Sequence, residues 1–80
     1  MKINDGLRLE ATYDGQDCHG HHILKDVRGD MVRSHAWLNG ERSNFPDGIQ
    51  PGTRVRFFAC LFPRRGGARL TDCRQVEVIQ

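Results

Sequence analysis

The chain has 80 residues, 38% of them hydrophobic, with nine glycines and a formal net charge of +2. A chain of this length makes one small domain that buries only about 60–65% of the surface exposed when unfolded, so a single domain over residues 1–80 is expected. No apolar stretch approaches the roughly 20 residues of a membrane helix and the start lacks the apolar segment of a signal peptide, so a cytoplasmic protein away from membranes is expected.

Residues 7–13 alternate Leu7, Leu9, Ala11 and Tyr13 with Arg8, Glu10 and Thr12, the period of a half-buried strand. The polar run from Asp14 to Gly20 reads as a loop. His21–Leu38 reads as two strands joined at Gly29-Asp30, because glycine supplies the positive φ that a two-residue hairpin turn demands. This register sets Val27 opposite Val32, Asp26 opposite Arg33, Leu24 opposite His35, Ile23 opposite Ala36 and His22 opposite Trp37. One face of the ribbon then gathers Ile23, Val27, Val32, Ala36 and Leu38 as the expected core side. The other gathers His22, Leu24, Asp26, Arg33, His35 and Trp37.

After Leu38, Asn39-Gly40 marks a turn, and Pro46, Gly48, Pro51 and Gly52 exclude a long helix. One short helical turn around residues 41–45 fits, with Phe45 or Ile49 as an apolar plug. In the next strand Val55, Phe57, Ala59 and Leu61 lie on one side, with Arg54, Arg56, Phe58, Cys60 and Phe62 on the other. Apolar residues on both faces near its end place this strand inside a sheet. A tip at Gly66-Gly67 would set Val55 opposite Val78 and Phe57 opposite Val76. It would also set Cys60 opposite Cys73, Leu61 opposite Asp72 and Ala59 opposite Arg74, so either the tip is longer or a bulge near Cys73 shifts the last strand.

Five strands, a long third connection and no amphipathic helix predict an all-β, five-stranded OB-like small barrel with at most one short helical turn between strands 3 and 4. Closure removes the open edges that a short sheet would leave. An SH3-like barrel is the competitor, but its one-turn helix before the last strand has no room between Arg69 and Ile79. The pieces HHILKDVRGDMVRSHAWL and IQPGTRVRFFACL resemble the second-to-fourth strand region of small OB-fold proteins, the uncharacterised OB-like domains of bacteria and phages. The likeness rests on the His35-Ala36-Trp37 end of the third strand and the Pro51-Gly52 entry to the fourth. It implies the fold and the nucleic-acid-binding habit of such domains.

Charge is unevenly placed: residues 1–52 carry −2 and residues 53–80 carry +4, and a basic half attracts anionic polymers. OB barrels bind single strands on the face of strands 2 and 3 and with the loop between strands 4 and 5. Here that face offers Trp37, Arg33, His35 and His22, and the loop offers Arg64, Arg65 and Arg69. An indole stacks on any base and guanidiniums contact phosphate, so the expected partner is single-stranded DNA or RNA with low sequence preference. Phe58 and Phe62 would extend the platform if their side is exposed. The same residues, as apolar anchors, would instead serve a protein partner or self-assembly. Asp14, Asp17, Asp26 and Asp30 oppose phosphate; Arg33 is expected to neutralise Asp26, and Asp14 and Asp17 have no evident partner.

The segment Cys18-His19-Gly20-His21-His22 holds the residue types zinc prefers. It lacks the paired knuckles of a structural site, so the expectation is no metal, and a metal-stabilised domain is the lesser alternative. Three cysteines with no CxxC spacing suit an intracellular chain without disulfides. Cys18 and His19 are adjacent and would point apart on an extended chain, so no activated nucleophile forms. No enzyme activity and no cofactor are expected.

Overall fold

A computed structural model of the chain describes residues 6–38, 45–46, 48–64 and 67–79, with the backbone alone described for 62–64 and 67–68. It contains five strands, β1 (Leu7–Gln16), β2 (His22–Gly29), β3 (Arg33–Leu38), β4 (Arg54–Arg64) and β5 (Gly67–Val78). They close into a barrel in the order β1-β2-β3-β5-β4, β4 returning to β1. All neighbours are antiparallel except β3 and β5. This is the OB-like, all-β barrel that the strand order predicts, with no helix among the described residues. The expected helical turn at 41–45 falls, except for Phe45, outside the described residues.

The interior is built from the alternating positions read in the sequence for β1 and β4. Leu9, Ala11 and Tyr13 meet Val55, Phe57 and Ala59 inside, with Leu7 and Leu61 half-buried beside them. Phe57 is wholly enclosed, and burial of such a ring contributes about 1.5–3 kcal/mol over leaving it in water. Phe45 is the plug: its ring stacks on Tyr13 at 4.9 Å, while Ile49 packs half-buried beside the core.

The β2–β3 ribbon departs from the expected register by one residue. His22 pairs with Leu38, Ile23 with Trp37, Leu24 with Ala36, Lys25 with His35 and Val27 with Arg33. Gly29-Asp30 is therefore not a two-residue turn. Gly29 is the last residue of β2, opposite Leu9 at φ +120°, and a Cβ there would collide with the Arg8 carbonyl oxygen. The glycine is required by the close approach of β1, and the connection runs on through Asp30–Val32. The core side of the ribbon is accordingly Leu24, Val27, Ala36 and Leu38, whereas Ile23 is only half-buried and Val32 is 73% exposed. Leu24 and Val27 both point inward because Asp26 between them is left-handed, at φ +52°, and inserts an extra residue on the outside.

In β5 two more left-handed residues, Asp72 and Gln75, both at φ +55°, shift the pairing with β4 twice. Val55 opposes Val78 as expected, but Cys60 opposes Thr71 and Leu61 opposes Leu70, not Cys73 and Asp72. The pairing runs down to Arg64 opposite Gly67, so a bulged strand rather than a longer tip resolves the conflict seen in the sequence. The inward positions of β5 become Leu70, Cys73 and Val76, three residues apart. In strand order β1 also outlasts its alternating segment, continuing through Gly15 to Gln16.

Candidate nucleic-acid interface

β3 alternates Ala36 and Leu38, both buried, with Arg33, His35 and Trp37. These three share the outward side of the strand, with Arg33 and His35 exposed and Trp37 half-buried. Trp37 lies between Ile23 of β2 and Arg69 of β5, each its direct partner. Arg69 is half-buried, which suits a guanidinium whose stem covers apolar surface while its head reaches water. Lys25, opposite His35, adds a further exposed cation on the same wall.

His22 does not join this face. It is one residue out of the expected register, and its Nδ1 lies 3.1 Å from the Tyr13 hydroxyl. Its ring sits 4.8 Å from Phe45 and 5.6 Å from Tyr13. These contacts hold it at the barrel mouth, on the core side of β2. Burial also holds the Tyr13 phenol above its ordinary value. Of the three cations expected on the β4–β5 loop, Arg64 instead ends β4 and is described by its backbone alone, Arg69 lies within β5, and Arg65 lies outside the described residues. The backbone register puts Ala68 beside Ala36, so the start of β5 lies toward the Arg33 end of β3.

Asp14, Asp17, Asp26 and Asp30, the acids expected to repel phosphate, are each engaged. Asp14 lies 3.4 Å from Lys25. Asp26 pairs not with Arg33 but with Arg28 at 3.0 Å and Arg54 at 3.6 Å. The Asp30 carboxylate accepts the Arg8 N–H at 2.8 Å. Asp17 accepts the N–H groups of His19 and His21, both at 2.9 Å, and faces His21 Nδ1 at 3.4 Å. Desolvation works to raise the Asp17 carboxyl. The hydrogen bonds from His21 and His19 and the His21 charge outweigh it and hold the group below its ordinary value. Among the described residues, Arg28, Arg54 and Arg56 have acidic partners, and Arg33 and Arg69 have none.

The Cys18–His22 segment forms a turn around Asp17. Cys18 is exposed, the rings of His19 and His21 are 6.2 Å apart, and His22 faces the other way. Among the described residues no three His, Cys, Asp or Glu side chains gather to hold a metal ion. No described helix is long and apolar enough to cross a membrane.

The sequence reading missed Ile23 and Lys25 on the outward wall. Their signal is the same alternation read one residue later, which appears once Gly29 is recognised as a close-approach glycine. On the neighbouring wall, Phe58 is half-buried and outward, but the Arg8 guanidinium lies over its ring at 5.9 Å. Comparison with protein-family models, curated proteins and solved structures yields no match to the chain. The class defined by fold and surface is thus an OB-like barrel with an aromatic and basic outer wall.

Proposed function

We propose that this chain is a non-enzymatic, cytoplasmic binding module for single-stranded DNA or RNA with low sequence preference, akin to the small OB-like domains of bacteria and phages. One arrangement carries the reading: the Trp37 indole on the outer wall of β2 and β3, with Arg69 directly beside it and Arg33 four residues away along its own strand, beyond His35. Every base offers a π-face, and stacking on such a ring contributes about 1–3 kcal/mol per base. Cations lacking acidic partners bind phosphate without first breaking an ion pair. Arg64, the last residue of β4, and Arg65, outside the described residues, are the further cations this reading assigns to phosphate contact.

The test is an anisotropy titration with labelled oligonucleotides at low ionic strength. Salt-sensitive binding is expected, weakened by Trp37→Ala by about 1–3 kcal/mol. Arg33→Gln, Arg65→Ala and Arg69→Gln should each reduce the salt slope by roughly one phosphate contact. Absence of binding to any single strand at low salt would overturn the reading. Sedimentation showing a tight dimer that buries Trp37 would replace it with an assembly role.

A further inference from the structure

The wall formed by β1, β4 and β5 carries a second aromatic–guanidinium group. Phe58 pairs with Arg8 on one side and Arg74 on the other. The Arg8 guanidinium lies over the ring, and Arg74 and Phe58 both approach the point where a Cβ on Gly6 would stand, at 2.8 and 3.7 Å. The absence of a side chain at Gly6 is what leaves room for Arg74 there. Beside the ring runs a groove of about 410 Å³ lined by Arg8, Glu10, Arg56, Phe58, Gln75 and Glu77. Its two acids are compensated, Glu77 by Arg56 at 3.4 Å and Glu10 by Arg54 at 3.8 Å.

The backbone register links this wall to the first. The register runs from Trp37 to Arg69 to Phe62 across three strands, and Phe58 stands four residues from Phe62 along β4. At about 4.8 Å between strands and 3.3 Å per residue, Phe58 is roughly 16 Å from Trp37. That is within the span of the longer site sizes, up to about 16 nucleotides, known for OB folds.

We infer that a long single strand continues from Trp37 across Arg69 onto the Arg8–Phe58–Arg74 group, which holds a second segment of the same strand. The inference rests on the proposed function and adds the strand's path. A base can stack on a guanidinium plane as on a ring, and Arg8 seated on Phe58 offers one. The one exposed acid along β5 between Arg69 and Arg74 is Asp72, so its charge opposes phosphate on this path. Asp72 is left-handed at φ +55°, a conformation asparagine tolerates well. Asp72→Asn therefore removes the charge and preserves the bulge.

The experiment compares a labelled 4-mer with a 12-mer on the full chain at low salt. Phe58→Leu and Arg8→Gln should weaken the 12-mer about five- to tenfold and leave the 4-mer within about twofold. Asp72→Asn should tighten the 12-mer about two- to fivefold with the 4-mer unchanged. It serves as the deciding variant if Phe58→Leu loosens the barrel. If Trp37→Ala weakens both lengths while these three variants leave the 12-mer unchanged, the path is wrong and the proposed function stands. If neither length binds, both fall.

Discussion

Arg8 and Asp30 exchange two hydrogen bonds: the Arg8 N–H donates to the Asp30 carboxylate at 2.8 Å, and the Asp30 N–H donates to the Arg8 carbonyl at 3.0 Å. The end of the β2–β3 ribbon is thereby fastened to the start of β1. Between them Gly29 stands at φ +120°, with the Arg8 carbonyl oxygen where its Cβ would be. Gly29→Ala should cost at least about 2–3 kcal/mol, since it adds strain at a positive φ to a backbone collision. Asp30→Ala should cost about 1 kcal/mol. Urea unfolding of the two variants checks the order, and a Gly29→Ala chain as stable as the parent would refute the close approach.

That fastening explains what the sequence could and could not convey. β1 and β4 were legible because Leu7–Tyr13 and Val55–Leu61 alternate without interruption, so period two alone assigns their faces. The strand order and a plug at either Phe45 or Ile49 followed from the sequence, and the structure picks Phe45. The register of β2 and β3 did not, because a glycine demanded by a neighbouring backbone looks in one dimension like a glycine demanded by a turn. Asp26, Asp72 and Gln75 carry no local sign of left-handed backbone, so the bulges they make were invisible or, in β5, visible only as a contradiction. The outward wall suffered from the same one-residue slip: Trp37, Arg33 and His35 keep their place on one side, while His22 leaves and Ile23 enters.

Arg54 clamps the bulge at Asp26. Its Nη1 donates to the Asp26 carbonyl at 3.0 Å and to Thr12 Oγ1 at 3.1 Å, tying β4 to both β1 and β2. Its side chain is 19% exposed, and Asp26 and Glu10 carboxylates lie at 3.6 and 3.8 Å. Arg54→Leu should lower stability by about 1–3 kcal/mol, chiefly through the unpaired carbonyl and the lost charged hydrogen bonds. Arg28→Leu, which removes only an exposed pair with Asp26, should change it by less than about 1 kcal/mol. Equal losses in chemical unfolding would contradict the clamp.

His22 and Trp37 separate stability from binding. His22→Ala removes a hydrogen bond to Tyr13 and a ring contact with Phe45, so it should cost about 1–2 kcal/mol and leave oligonucleotide affinity per folded molecule within about twofold. Trp37→Ala should do the reverse, with the larger effect on affinity. Melting curves and titrations on the same two variants test this crossing of effects. A large affinity loss in His22→Ala would return the histidine to the outer wall.

Cys73 makes the barrel sensitive to alkali. Its thiol is 1% exposed between the two β5 bulges, and burial pushes it up to about 12. An unfolded thiol ionises near pH 8.5–9, roughly. Across the interval from there to about 12 the unfolded chain therefore binds fewer protons than the folded one, and stability must fall as pH rises. The Tyr13 phenol, also raised by burial, adds a loss of the same sign at the upper end. Urea midpoints at pH 8 and pH 10.5 should show the decline in the parent and a shallower one in Cys73→Ala. In a thiol-labelling time course exposed Cys18 should react first, and Cys73 only at the rate of barrel opening. Labelling of Cys73 as fast as Cys18 in the absence of denaturant would show that the thiol is not enclosed between Asp72 and Gln75.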